Sequence, residues 1–247
     1  MMTVWDKTQC KAMEAILTKL PELVSPDIVK VFHVMITRQI ADSYHSLSTR
    51  DSKKRAEHLY KETLTLVYPC GFDDEGLSGT IQLALFYYLE GDNRQALTVL
   101  RDIIPVIVKA VKMNSVERYI FISFSLCMKE RFVRDEFLYK EVSNLKADFP
   151  ITINVIVVGL YILIQSYIAT SSEDSVDDVT RFFMLLKACG DQLSTPNVCE
   201  AWMTIIRGIL RNIEDNCNLF LFAPDPRSKT APLTRNQKLK HFWEDFE

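Results

Sequence analysis

The stretch from Phe149 to Ser172 reads FPITINVIVVGLYILIQSYIATSS and contains no charged side chain. Two structures are compatible with so long an uncharged run. About twenty apolar residues suffice for a helix that crosses a bilayer, but a helix that is apolar on every side can also be the buried centre of a helical protein. Asn154, Gln165 and Ser166 would each need a polar partner in hydrocarbon. We therefore expect a buried core helix, with a membrane span as the weaker alternative.

The composition is typical of a folded domain with a large apolar core. Of the 247 residues, 48% are hydrophobic, which excludes a globally disordered chain. The formal net charge is only −3, so no general affinity for nucleic acid or membrane surfaces is expected. The first residues lack the apolar core of a signal peptide, and the 6 cysteines include no Cys-x-x-Cys pair. We expect reduced cysteines and a cytoplasmic protein.

Helix-start and helix-stop signals divide the chain into short segments. Ser25-Pro26-Asp27 combines an N-cap serine, a proline in the first turn and an acid at the positive helix end. Pro105 is expected to kink one helix. Strand signals are weak, because the β-branched run 153–158 lies inside an apolar stretch too long for one strand. The pattern predicts an all-α fold, an antiparallel bundle of about nine helices in consecutive hairpins, at 5–20, 26–47, 51–67, 77–90, 94–112, 116–129, 131–147, the apolar run, 175–190 and 197–221.

The character of the chain changes near residue 223. We expect an all-helical domain over residues 1–222 and a flexible tail over residues 223–247, because the tail is polar, basic and rich in proline. The tail ends in three aromatic side chains, Phe242, Trp243 and Phe246, which are suited to docking on the domain or on a partner.

No sequence motif of catalysis is present. The chain has no phosphate loop, dinucleotide fingerprint or HExxH pattern. Its histidines, His33, His45, His58 and His241, show no ligand spacing with cysteine or carboxylate residues. We therefore expect a protein that is not an enzyme and that uses no cofactor and no metal.

Two pairs of side chains are candidates for a binding site. Arg38 and His45 are seven residues apart and so share one face of the second helix. Arg118 and Tyr119 interrupt an otherwise apolar segment. Each pair also has a purely structural interpretation: a solvated edge with Asp42 pairing Arg38, and a snorkelling Arg118 that pairs with a neighbouring acid.

These features, in this order of helices, resemble the 14-3-3 phosphopeptide-binding family. That family carries a basic pair one heptad apart on its third helix and an Arg-Tyr pair on its fifth. Arg38 with His45 resembles the first pair, and Arg118-Tyr119 resembles the second. Two later stretches are also similar to family motifs: Phe149–Ile153 to His-Pro-Ile-Arg-Leu, and Met203–Ile209 to Met-Gln-Leu-Leu-Arg-Asp-Asn.

The resemblance covers about residues 5–215 and implies a non-enzymatic adaptor for phosphoserine or phosphothreonine peptides of signalling partners. Arg38, His45, Arg118 and Tyr119 would form its site, since arginine binds phosphate bidentately and tyrosine adds a donor. His45 contributes charge only when protonated, which would make the site pH-sensitive. The expected partners are phosphorylated proteins, with neither nucleic acid nor membrane. Because the family dimerises through its first helix, which here begins near residue 5, dimerisation stays open.

Two departures from the family and one motif in the tail bear on this expectation. The family's two asparagines that hold a peptide backbone fall at Val158 and Ile209 here, and each lost hydrogen bond is worth about 0.5–1.5 kcal/mol. In the tail, residues 227–232 read RSKTAP and match R-S-x-[S/T]-x-P. A phosphate on Thr230 would add charge suited to an arginine pair. We expect phospho-Thr230, preceded by Arg227, to act as an internal inhibitor of the domain's own site.

A second interpretation needs no phosphate. The hairpin Ile81–Leu100, with Gly91-Asp92-Asn93 at its turn, reads like a tetratricopeptide unit. It predicts a helical-repeat scaffold subunit of a multiprotein complex. The two interpretations differ in whether the four candidate site residues converge on one concave site.

Overall fold

The computed structural model describes residues 6–19, 26–64, 77–116, 121–124, 151–170, 175–193 and 207–212. These residues are mainly helical, with one short two-stranded ribbon, and the predicted all-α class is confirmed for them. Residues 207–212 are helical as well. The predicted helix at 131–147 and the tail at 223–247 lie outside the described residues. The elements are α1 (Lys7–Lys19), α2 (Pro26–Ser46), α3 (Arg50–Thr63), α4 (Leu77–Leu89), α5 (Asn93–Arg101), α6 (Ile104–Lys112), β1 (Phe121–Phe124), β2 (Ile151–Asn154), α7 (Val155–Thr170) and α8 (Ser175–Leu193).

Local capping determines where several helices begin. Thr49 caps α3 through a capping box, in which its hydroxyl accepts from the Ser52 backbone N–H and the Ser52 hydroxyl accepts from the Thr49 N–H. The Asp92 carboxylate accepts from the backbone N–H of Gln95 and so caps α5. Gly91, between α4 and α5, has a φ of 80°, a left-handed conformation that favours glycine. This tight turn folds α5 back onto α4.

The predicted single helix over 94–112 is wrong in one respect, because the chain breaks there instead of kinking. Helix α5 ends at Arg101 and α6 begins at Ile104, with Pro105 in the first turn of α6. Proline is compatible with a first turn because the N–H it lacks has no partner there. The buried Ile103 lies at the break and fastens it to the core.

The predicted helix over 116–129 is also wrong, because residues 121–124 form strand β1. This strand pairs with β2 in antiparallel register, with Phe121 opposite Asn154 and Phe124 opposite Ile151. Strand β2 takes residues 151–154 of the uncharged run, so the core helix starts only at Val155. The β-branched side chains in Ile-Thr-Ile favour a strand at that point.

Asn154 marks the change from strand β2 to helix α7. Its side-chain oxygen accepts from the backbone N–H of Ile156, 2.9 Å away, and its side-chain nitrogen donates to the Val116 carbonyl, also at 2.9 Å. Asn154 is fully buried, so both bonds are shielded from water. One asparagine therefore caps the core helix and ties it to the chain that follows α6.

Helix α7 is the centre of the molecule, as the sequence predicted. Residues 155–164 are all buried, and α7 packs against α4, α5 and α8. Helices joined by short links also pack together, α2 on α3 and α4 on α5, while α1 lies against α2 and α3 against α4. Within the residues that the structure describes, no helix is long and apolar enough to cross a membrane. The layered hairpins place α2, α3 and α4 side by side, where the described candidate site residues lie.

Candidate functional site: the seam between helices α2 and α4

Arg38 lies inside the interface between α2 and α4. Its side chain is 9% exposed, and its Nη1 donates to the hydroxyl oxygen of Ser78 at 2.9 Å. Ser78 belongs to the first turn of α4, and Gly79 follows it. A Cβ added at Gly79 would lie 3.4 Å from Arg38 Nη2, at the edge of ordinary contact, so the guanidinium packs closely against the start of α4. Arg38 is thus a buried cation at the start of α4.

His45 lies at the other end of the same interface. It is 5% exposed, and its Nε2 lies 2.9 Å from Glu90 Oε1. Since an ionised carboxylate only accepts, Nε2 carries the proton and donates it. The opposite carboxylate oxygen, Oε2, accepts from Lys53 Nζ at 2.6 Å. The imidazole also packs on Phe86, with ring centroids 4.7 Å apart. Glu90 therefore joins α2, α3 and the end of α4.

The protonation state of Glu90 follows from these bonds. Burial disfavours its charged form, but the hydrogen bonds and positive charges of Lys53 and His45 outweigh that effect and lower the pKa of Glu90. The carboxyl group is consequently ionised at neutral pH. Its charge is compensated inside the protein, with only about a fifth of the side chain exposed.

Arg38 and His45 share a face of α2 but reach different parts of α4. Their partners Ser78 and Glu90 lie at the two ends of that helix. At 1.5 Å per residue, those positions are roughly 18 Å apart along the axis. In this structure the two side chains do not point toward a common ligand position. Their arrangement is that of a polar seam between two helices.

Asp42, on the same helix, also makes an internal contact: it accepts a hydrogen bond from the Tyr60 hydroxyl of α3. A second internal network lies between α3 and α4. The Glu57 carboxylate accepts from Tyr87 Oη and from Lys61 Nζ, both at 2.7 Å, and the bond from Lys61 contributes most to lowering the pKa of Glu57. The polar side chains of these helices thus hold the layers together.

The structure describes only some of the other residues that the sequence singles out. Arg118, Tyr119, Arg227 and Thr230 lie outside the described residues, so their convergence with Arg38 stays a prediction. Val158 and Ile209, at the family's asparagine positions, are 5% and 1% exposed and belong to the apolar core. An apolar core accounts for the hydrophobic residue at both positions.

The described residues offer no obvious site for metal or nucleophilic chemistry. No group of three or more His, Cys, Asp or Glu side chains in them is placed to hold a metal ion. Burial raises the pKa of the Cys189 thiol to about 12, and burial likewise raises the pKa of Cys10. A thiol must ionise to act as a nucleophile, so these two are structural.

The sequence indicated Arg38 and His45 but not their partners Ser78 and Glu90, nor the second partner of Glu90, Lys53. One feature of the sequence does point to Glu90: it is the charged residue that ends an apolar helical run just before the Gly91 turn. Comparisons of the chain with protein-family models, with curated proteins and with solved structures found no match.

Proposed function

We propose that the chain is a non-enzymatic helical scaffold that binds partner polypeptides and does not depend on phosphate. One observation carries this proposal: the two described side chains suited to phosphate binding, Arg38 and His45, are buried and bonded to opposite ends of α4. A phosphopeptide would have to break these contacts before it could use both. Breaking a buried hydrogen bond to a charged group costs about 1.5–3 kcal/mol.

The packing of the hairpins also favours a scaffold. The α4–α5 pair turns at Gly91, and Asp92 caps the second helix, as the tetratricopeptide-like interpretation requires. Neighbouring helices lie side by side around α7. Stacked hairpins of this kind expose a continuous surface of helix faces, which repeat proteins use for binding.

The test is quantitative co-purification of the full chain from its native cells, with and without phosphatase treatment of the lysate. A scaffold retains the same stoichiometric partners after phosphatase. The bait for comparison is an unrelated helical domain of similar size and charge. If no partner is enriched over that bait, or if the partners disappear after phosphatase, the proposal is wrong.

Phosphopeptide binding is the second candidate function, and one observation favours it. Arg38 lies beside Ser78 in the first turn of α4, where backbone N–H groups and the helix dipole favour an anion. Calorimetric titration of the full chain with a phospho-Thr230 peptide tests this candidate. Binding that requires the phosphate and is lost in Arg118→Ala supports it. Equal binding of the unphosphorylated peptide contradicts it.

A further inference from the structure

Helix α3 presents a row of basic side chains to solvent. Four of its five exposed positions are basic, and they follow one another at intervals of four, four and three residues: Arg50, Lys54, His58 and Lys61, with Asp51 as the fifth. Side chains at these intervals lie on one face of a helix. The row is roughly 16 Å long at the rise of an α-helix.

Helix α1 extends this basic surface. Arg55 Nη2 of α3 pairs with Glu14 Oε1 of α1 at 2.8 Å, so the face of α1 that carries Glu14 lies beside α3. Lys7 and Lys11 precede Glu14 by seven and three residues and share that face. Both lysines are exposed. We call the combined surface of Lys7, Lys11, Arg50, Lys54, His58 and Lys61 the α1–α3 basic face.

The acids around this face, apart from the exposed Asp51 on the face itself, are engaged already. Glu14 binds Arg55, and Glu57 accepts from both Lys61 and Tyr87. Glu62 lies 3.9 Å from His33. Asp6 accepts from backbone N–H groups at the start of α1. The acids therefore leave much of the positive charge of the face available.

Four cations of the face are available, whereas Lys61 is already paired with Glu57. Lys7, Lys11, Arg50 and Lys54 make no ion pair with any residue that the structure describes. The sequence of α1 holds three lysines and one glutamate, and α3 holds five lysine or arginine residues and three acids. Both helices are thus net positive in a chain whose formal net charge is −3. Such asymmetry concentrates attraction for anions on one side of the molecule.

We propose that the α1–α3 basic face docks an acidic segment of a partner polypeptide. The proposal rests on the scaffold function argued above and names the chemistry of its partner. Successive basic side chains on α3 are roughly 4.5–6 Å apart along the helix axis. Carboxylates at every fourth residue of an acidic helix, or at every second residue of an extended acidic strand, repeat at nearly the same interval. The face can therefore pair with such a segment at several points at once.

Two other anionic partners fit the face less well. A membrane-binding helix needs apolar side chains to insert below the headgroups, and none of the exposed positions of α3 is apolar. Nucleic acid attracts proteins with a large excess of basic residues, whereas this chain is net negative and Asp51 lies on the face itself. Charge complementarity over a short row favours an acidic polypeptide.

The direct test is fluorescence anisotropy of the full chain with a labelled oligoglutamate peptide at low salt. Arg50→Glu with Lys54→Glu reverses two exposed cations and is expected to weaken binding about tenfold or more. The matched control reverses two exposed cations elsewhere, Arg94→Glu on α5 with Lys109→Glu on α6. It changes net charge equally and is expected to leave affinity within about twofold, since distant surface charges are screened.

Several results would overturn the proposal. These are no saturable binding by the wild-type chain, an equal loss in the control variant, and competition by oligouridine or phosphatidylserine vesicles at lower concentrations than oligoglutamate. Circular dichroism verifies the fold of each variant, and Arg50→Gln with Lys54→Gln replaces the reversal if it unfolds. The native co-purification separates this proposal from the scaffold function. Partners that persist with the reversed face refute docking there but leave the scaffold intact, whereas no partner of the wild-type chain refutes the scaffold.

Discussion

Gly159, in the middle of α7, offers a sharp test of how the core is packed. A Cβ added at this position would lie 2.9 Å from Ile81 Cδ1 and 3.3 Å from Ile81 Cγ1 of helix α4. Ile107 Cδ1 of α6 would be 3.5 Å away, which is ordinary contact. The glycine thus lets α7 and α4 approach each other closely. Replacing it by alanine creates a conflict with one identified methyl group.

Two opposing effects set the expected size of the change. In an open helix, alanine in place of glycine stabilises by about 1 kcal/mol. Inserting a methyl group into a packed core costs about 1–3 kcal/mol. Ile81 Cδ1 is the end of a side chain, but Ile81 is fully buried and its Cγ1 is also closer than ordinary contact, so any movement must displace other core side chains and the second effect wins here. We expect Gly159→Ala to lower the free energy of unfolding by about 1 kcal/mol.

A second substitution should relieve the conflict. Ile81→Val removes Cδ1 and, by itself, costs about 0.5–1.5 kcal/mol because it leaves a small void. In the double variant, the Cβ introduced by Gly159→Ala fills the space that Cδ1 vacates. We therefore expect the double variant to approach wild-type stability, with a favourable coupling of about 1–2 kcal/mol between the two sites.

Equilibrium unfolding in urea, followed by far-ultraviolet circular dichroism, measures all the variants. The control pair combines Gly159→Ala with Ile103→Val, which removes the same methyl group from a buried isoleucine that is not among the nearest contacts of the new Cβ. Additive effects are expected for that pair. If Gly159→Ala alone stabilises the protein, or if the Ile81 and Ile103 pairs show the same coupling, the close contact between Gly159 and Ile81 does not limit packing here.

Three further predictions concern polar contacts and a turn. Glu90→Gln should lower the free energy of unfolding by about 1–3 kcal/mol at neutral pH, since it weakens the bonds to Lys53 and His45. The pKa of Glu90 is lowered on folding, so its contribution is present above the unfolded-state value of about 4.3 and is lost as pH falls through the lower folded value. Urea unfolding of both proteins at several acidic pH values should therefore show the difference between them shrink as the pH falls. Asn154→Ala should lower the free energy of unfolding by about 2 kcal/mol or more, because it removes a helix cap and leaves the buried Val116 carbonyl without its hydrogen bond. Amide hydrogen exchange should then be faster in the first turn of α7. Gly91→Ala should lower the free energy of unfolding, measured by thermal unfolding, by about 1–2 kcal/mol. The cause is the φ of 80° alone, because a new Cβ there meets no atom within 4 Å. Gly91→Asn should cost less, because asparagine tolerates this conformation better.

The sequence predicted best those features that depend on neighbouring residues. Helix α4 was expected at 77–90 and spans Leu77–Leu89, because an apolar run ends there at a Gly-Asp-Asn turn. The start of α2 at Pro26 also matches its local signal. Capping, proline placement and turn glycines act within a few residues, so a single sequence contains what is needed to place them.

Features that depend on distant residues were not predicted, because a single sequence does not show which distant residues become neighbours. Strand β1 forms by pairing with β2, with Phe121 opposite Asn154, and nothing in the sequence near residue 121 specifies that partner. Likewise, Arg38 and His45 were correctly placed on one face of α2, yet their partners lie 40 and 45 residues further along the chain. Hydrogen-bonding partners at such separations are determined by how the helices pack.

The polar seam between α2 and α4 has a consequence beyond its contribution to stability. Buried polar pairs can fix the register of two packed helices, because a misaligned pair leaves a buried polar group without its partner. Arg38 and His45 require Ser78 and Glu90 at fixed heights along α4. A slip of one helical turn, about 5.4 Å, would separate both pairs at once and leave buried charged groups without those partners.

The two bonds at opposite ends of α4 therefore select one alignment of the helices. They also hold the neighbouring α3 in place, because Glu90 binds Lys53 of that helix. Arg38 and His45, which the sequence pattern singles out as suited to binding phosphate, thus also align two helices within the fold.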